Sequence, residues 1–307
     1  MEDYVKILVT GGAGFIGSHI AEYYARNGHS VVILDTLRSG THDNITGFSH
    51  KFIQASVTDQ SAVITAMKDC TYVFHMAAMT SVPESFHSPD ECENINVIGT
   101  INILQAALTT GVKKVIIASS ASVYGDDPAL PKKENMQPHP LSPYAVTKVS
   151  SEYYASLFSK EYNLSTVLLR YFNVYGPRQD PDSPYASVIP LFINRAIKNK
   201  TIFINGDGQQ TRDFIYIDDV VRAITYTAEN GNGIYNVATG SCITITDLAE
   251  QIIDLTHSSS DIQYRDPRPG DIRHSVASIE NIAALGFSPH TNHQNDLLTT
   301  IQYFSAQ

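Results

Sequence analysis

Short apolar, β-branched runs recur through the first half of the chain, and helical segments separate most of them. They are YVKILVT at 4–10, SVVILD at 30–35, KFIQAS at 51–56, YVFHMA at 72–77 and KKVIIAS at 113–119, with STVLLRYF following at 165–172. Because they are apolar almost throughout rather than alternating, both of their faces must be covered. Buried strands alternating with helices specify an α/β fold in which a doubly wound parallel sheet carries helices on both sides. Beyond residue 170 the rhythm loosens into the loop NVYGPRQDPDSPYAS and shorter elements. We therefore expect a Rossmann-like domain over 1–169 and a smaller α/β domain over 170–307, with some later segments returning to the first.

The first strand runs straight into TGGAGFIGSHIAEYY, where Gly11, Gly14 and Gly17 fall three apart at the opening of a helix. Glycines there permit a tight turn, close approach of a pyrophosphate and close packing of helix on sheet, and the helix N-terminus faces the phosphates. An acidic residue, Asp35, ends the second strand, where a dinucleotide's ribose hydroxyls need an acceptor. A carboxylate at that place favours NAD over NADP by repelling a 2′-phosphate. Arg38, three residues on, works in the opposite sense.

In SPYAVTK, Tyr144 and Lys148 stand one helical turn apart behind a proline suited to helix position N1. Taken alone the spacing fits an amphipathic surface pair equally well. A free phenol, with a pKa of about 10, is a poor base. An ammonium beside it favours the phenolate and brings it toward working range.

The chain resembles the extended short-chain dehydrogenase/reductase family, also described as NAD-dependent epimerases and dehydratases. The resemblance rests on an ordered set: TGGAGFIG, HMAA at 75–78, NINVIGT at 94–100, ASSASVYG at 118–125, Tyr144 with Lys148, LRYFNVYGPRQ at 169–179, RDFIYIDD at 212–219 and RPGDIRHS at 268–275. It implies NAD as cofactor, held by Gly11, Gly14, Phe15, Ile16, Gly17, Asp35, Arg38, Ser56, Val57, Ala77, Asn96, Tyr144 and Lys148. Tyr144 becomes the general base, Lys148 its tuning residue, and Ser120 a hydroxyl that orients substrate and relays the proton. Ser120, Tyr144, Asn173, Ser187, Val188, Arg212, Arg268, Asp271 and Ser275 become substrate contacts, with the two arginines on a pyrophosphate and Asp271 on ribose hydroxyls. Ser56 stands where family members often carry an acidic residue, and Ser187 where an asparagine is expected.

Dehydratases of the family carry an Asp-Glu pair immediately after the catalytic hydroxyl. Here those positions are Ala121 and Ser122, which cannot exchange protons for an elimination. The expected activity is therefore NAD-dependent 4-epimerisation of UDP-hexoses, including the N-acetylated forms because Ser275 is small. A dehydratase or decarboxylase of the same family, or an NAD sensor without catalysis, are the alternatives. Apolar faces on the helices near 92–110 (Ile95, Ile98, Ile103, Leu104) and 144–160 (Val149, Tyr153, Leu157) imply a homodimer, since in the family these helices meet their copies.

The remaining composition excludes other classes. A net charge of −10 argues against a nucleic-acid partner. No apolar run approaches a membrane span, and the start of the chain shows no targeting pattern. Three cysteines without a C-x-x-C pair fit a reducing, cytoplasmic setting. The eleven histidines show no ligand spacing, so no metal is expected.

Overall fold

A computed structural model describes residues 4–181, 186–267, 272–290 and 292–306. The central element is a seven-stranded parallel sheet built from β1 (Lys6–Thr10), β2 (Ser30–Asp35), β3 (Lys51–Gln54), β4 (Tyr72–His75), β5 (Lys114–Ser120), β6 (Ser165–Tyr171) and a late strand, Gly233–Val237. From one edge the order is β3-β2-β1-β4-β5-β6, then the late strand beside β6. The winding direction reverses between β1 and β4, and such a switch point opens a crevice at the carboxyl ends of the strands.

Helices α1 (Phe15–Arg26), α2 (Gln60–Met67), α3 (Val82–His87), α4 (Pro89–Glu93), α5 (Gly99–Thr110) and α6 (Pro143–Tyr162) belong to the first half. Two apolar cores flank the sheet. Val63, Met67, Ile103, Leu104, Ala155 and Phe158 bring α2, α5 and α6 onto one face. Ile20, Ala21 and Tyr24 bring α1 onto the other, together with Val220 and Ile224 of α8 (Ile217–Asn230). That second core continues through Ile189, Phe192 and Ile193 of α7 (Val188–Ile197), Leu248 and Ile252 of α9 (Ile245–Thr256), Ile282 of α10 (Glu280–Ala284), and Leu297 and Ile301 of α11 (His293–Ser305). The halves therefore interleave: α8 and the strand Gly233–Val237, both beyond residue 170, complete the first layered unit.

The smaller layer carries three two-stranded pairings. In chain order its strands are β7 (Asn173–Tyr175), β8 (Ile202–Asn205), β9 (Thr211–Arg212) and β10 (Phe214–Tyr216), with β11 the sheet strand Gly233–Val237, then β12 (Ile243–Thr244) and β13 (Ile262–Arg265). β7 pairs with β10 and β8 with β13 in parallel; β9 pairs with β12 antiparallel.

α6 starts where its sequence says it should. Ser142 Oγ accepts from the Ala145 amide at 3.1 Å, and Pro143 occupies the first turn, where a missing N–H costs nothing. α4 continues into α5 through a π turn at Asn94–Ile98. Of the residues on the two apolar helix faces, Ile103, Leu104 and Val149 are buried in the subunit's own core. Ile98, Tyr153 and Leu157 face outward, joined by Val146 and Tyr154.

Candidate active site

The crevice at the switch point is a cleft of about 1020 Å³ running from the glycine turn, past Tyr144, into the smaller layer. Gly11 sits at φ +66°, and a Cβ there would stand 2.7 Å from the Ala77 amide nitrogen, so the turn abuts the segment after β4. Gly14 is the N-cap of α1. It offers no side-chain acceptor, and the first turn carries no acidic residue. The orphan amides there are left for an anion in the cleft. Gly11, Gly14, Phe15, Ile16, Gly17, Asp35, Arg38, Ser56, Val57 and Ala77 all line this end.

Asp35 accepts from the Ala13 amide at 3.0 Å and the Leu37 amide at 2.8 Å, which locks the carboxylate at the end of β2 against the glycine turn. Arg38 is engaged by two carboxylates, Glu84 at 2.8 Å and Glu91 at still closer range. Its charge is thus answered within the chain, which lessens its hold on a 2′-phosphate and leaves Asp35 to set the preference. These residues fit NAD: an uncapped helix N-terminus for the diphosphate and a fixed carboxylate for the ribose.

Tyr144, Lys148 and Ser120 converge at the centre. Tyr144 and Lys148 are one turn apart on α6, with the lysine Nζ 5.7 Å from the centroid of the tyrosine ring. Tyr144 packs against Met79 and Cys92. Lys148 Nζ donates to the Ala118 carbonyl at 2.7 Å, tying α6 to the end of β5. Ser120 ends β5, caps the next turn through the Ser122 amide at 3.1 Å, and stands near enough to Tyr144 to lower its pKa. Burial pushes the Tyr144 phenol up to about 12, and the Ser120 contact pulls the other way. Burial likewise brings Lys148 down to about 8, still mostly ammonium at neutral pH, with Cys92 and Glu152 raising it. Desolvation is therefore the largest influence on the phenol.

At the far end Asn173, Ser187, Val188 and Arg212 line the cleft. Asn173 Nδ2 donates to the Asp213 carbonyl at 3.0 Å, and Arg212 Nη1 to the Thr211 carbonyl at 2.9 Å. The same wall holds a grouping with no counterpart in the sequence expectations. Phe203 lies under the Arg265 guanidinium, 3.3 Å from its ring centroid, and Arg195 is 4.7 Å from that centroid. Gln210 joins them, donating to the Asn205 carbonyl at 2.8 Å. An aromatic ring among guanidinium groups suits an anionic, stackable ligand. No local signal announces it, because its members come from α7, β8 and β13.

Two of the expected site residues stand away from the cleft wall, and two lie outside the described residues. Asn96 does not line the cleft. Its amide is occupied by both backbone groups of Met79 and by Thr147, at 2.8–3.1 Å, so it braces the segment after β4 against α6. Ser275 is likewise not among the residues around the cleft: its amide donates to the Thr211 carbonyl at 3.2 Å, placing it beside β9, next to Arg212. Arg268 and Asp271 lie outside the described residues. Among the described residues no cluster of metal-ligating side chains is present, and no helix is long and apolar enough to cross a membrane.

With the geometry in place, comparison with known proteins is specific. A model of the NAD dependent epimerase/dehydratase family matches residues 7–238. The chain is similar to a solved UDP-N-acetylglucosamine 4-epimerase from Methanobrevibacter ruminantium in complex with UDP-N-acetylmuramic acid, at 41% identity over 100% of both chains and a TM-score of 0.96. It is also similar to the Thermotoga maritima UDP-glucose 4-epimerase with UDP-glucose, at 37% identity over 98% of this chain and 99% of that one, TM-score 0.95. A UDP-glucose 4-epimerase from Mycolicibacterium smegmatis is 35% identical over 98% of both chains.

Proposed function

The chain belongs to the NAD dependent epimerase/dehydratase family, and we propose that within it the reaction is reversible inversion of C4 in UDP-hexoses. We include both UDP-glucose/UDP-galactose and their N-acetylated counterparts among the substrates. One observation carries this reading: the cleft brings Tyr144, Ser120 and Lys148 together, while the positions after Ser120 are Ala121 and Ser122. With NAD as hydride carrier, a base, a relay hydroxyl and a cation suffice to oxidise and reduce one carbinol; elimination calls for further acid–base groups.

Tyr144 Oη takes the proton of the C4 hydroxyl as the C4 hydride leaves, giving a 4-keto sugar, and returns that proton when the hydride comes back to the opposite face. NAD, which the glycine turn and Asp35 would hold, would supply the hydride acceptor and donor. Ser120 holds the C4 oxygen in line with Tyr144. Lys148 holds the ammonium that favours the phenolate against burial. Arg212, Arg195 and Arg265 are placed to hold the nucleoside diphosphate, and the epimerase of M. ruminantium, whose complex contains an N-acetylated muramic acid derivative, supports room for the larger sugar.

We infer a homodimer as well, formed through the exposed faces of α6 and of the π turn leading into α5, which carry Val146, Tyr153, Leu157 and Ile98. Its three free cysteines are consistent with the cytoplasm. The test is incubation with UDP-glucose, UDP-galactose, UDP-GlcNAc and UDP-GalNAc followed by chromatographic separation. The C4 epimer of each is expected. A 6-deoxy-4-keto sugar would identify a dehydratase instead, and absence of any product would remove catalysis.

A further inference from the structure

One helical turn beyond Lys148, on the same face of α6, lies Glu152, a carboxylate that is 3% exposed in its side chain. Its partner Arg170, on β6, is 2% exposed. The pair is forked: Arg170 Nε donates to Oε1 at 2.9 Å and Nη2 to Oε2 at 2.7 Å. Oε1 also receives the Ser119 hydroxyl at 2.5 Å, from the residue immediately before Ser120. Arg170 stacks 4.8 Å over the Tyr124 ring, and its Nη1 donates to the Glu134 carbonyl at 3.2 Å.

A buried ion pair is a poor way to gain stability, since desolvation offsets most of the attraction. This one does something an apolar pair could not. It joins the end of β5, the catalytic face of α6 and β6 through directional bonds with little freedom. We propose that Glu152, fixed by Arg170 and Ser119, is a positioning residue for the Tyr144–Lys148 pair, keeping Lys148 charged and its helix in register with Ser120.

The charges around Lys148 support this. Glu152 faces it from α6 and Cys92 from α4, and both raise its affinity for a proton; neutral His75 of β4 lies within its field, and Tyr144 is its catalytic neighbour. Burial alone favours loss of the lysine's proton. Among these groups only Glu152 combines a formal negative charge with a fixed geometry, because Arg170 and Ser119 prevent it from turning away.

The inference rests on the assignment of Tyr144 and Lys148 as catalytic, so the test reads the lysine directly as well as the rate. Lys148 is titrated by NMR in protein labelled at lysine Cε, with its signal assigned by Lys148→Arg. In Glu152→Gln the midpoint should fall by about one pH unit, the scale for removing a partly compensated charge one helical turn away. The alkaline limb of the epimerisation rate should move down by the same amount. Where Glu152→Gln alone fails to fold, Glu152→Gln/Arg170→Met, which leaves no unpaired buried cation, is measured in its place; the midpoint should again fall, by less than in the single variant, because the opposing Arg170 charge is removed as well. Ser119→Ala, with the ion pair intact, should lower kcat several-fold without moving KM or the midpoint. A midpoint unchanged in the Glu152 variants would overturn the proposal and reduce the pair to a structural role. A shifted midpoint in a protein with no epimerase activity in its wild-type form would uphold the charge linkage while removing the proposed function.

Discussion

Gly17→Ala is the sharpest perturbation of the cofactor end. A Cβ at this position would fall on the Gly11 carbonyl oxygen and stand 2.9 Å from both the Gly11 carbonyl carbon and Gly12 Cα. Carbon atoms prefer about 3.5–4.0 Å, so α1 must back away from the turn by more than half an ångström. Overpacking of this kind costs roughly 1–3 kcal/mol, or a fall in Tm of about 2–6 °C for a chain of this size. The same displacement withdraws the first-turn amides from the diphosphate. A tenfold weaker NAD affinity corresponds to about 1.4 kcal/mol. At an NAD concentration near 100 times the wild-type Kd, bound cofactor stabilises by about 2.7 kcal/mol; for the variant this drops to about 1.4, so the NAD-induced rise in Tm should halve. Gly28→Ala is the control: at φ +83° a Cβ meets nothing within 4 Å, so the cost is backbone strain of about 1 kcal/mol. Differential scanning calorimetry with and without NAD reads both. Undiminished NAD stabilisation in Gly17→Ala, or an equal loss in Gly28→Ala, would refute the role of the close turn.

Tyr144→Phe should retain the fold and NAD binding while epimerisation falls at least about a hundredfold, the usual scale for losing a general base; near-normal turnover would remove the phenol from the mechanism. His75 is held neutral, its pKa brought down to about 3 by burial and then by the Lys148 charge, against about 6.5 in an unfolded chain. Stability from this group is complete above pH 6.5 and is lost as pH falls toward 3, so His75→Gln should flatten the acid side of Tm against pH; an unchanged slope would show that other groups set it. Tyr153→Glu/Leu157→Glu places charge on side chains 63% and 49% exposed, and should convert a dimer of about 67 kDa, twice the 33.7 kDa chain, to monomer by light scattering; a wild-type mass near 34 kDa would refute the dimer outright.

The strand–helix alternation, the glycine turn and Asp35 are legible in the sequence because each is a local pattern with one physical cause. Tyr144 and Lys148 are legible as a pair, and the structure buries both at the cleft where a surface pair would stay exposed. What short motifs leave out is the direction in which a side chain is used. Asn96 lies inside a matching motif, yet the π turn and the neighbouring Met79 backbone consume its amide. Ile103, Leu104 and Val149 share a stripe with truly exposed residues, and only packing separates them. Phe203, Arg195 and Arg265 are invisible because they are brought together from three separate elements. Glu152 and Arg170 are hidden in the same way, one reading as a surface charge on a helix and the other as an oddity in a buried strand.

Transient oxidation at C4 with return of the same hydride is tested most directly by isotope. UDP-GlcNAc carrying deuterium at C4 is incubated with the protein and NAD in ordinary water, and the product is examined by NMR and mass spectrometry. UDP-GalNAc with the deuterium retained at C4 is the expected result, because a hydride taken from C4 and returned to it stays bound to carbon and does not exchange with water. Loss of the label to solvent, or a product altered at C6 with C4 left as a ketone, would contradict it.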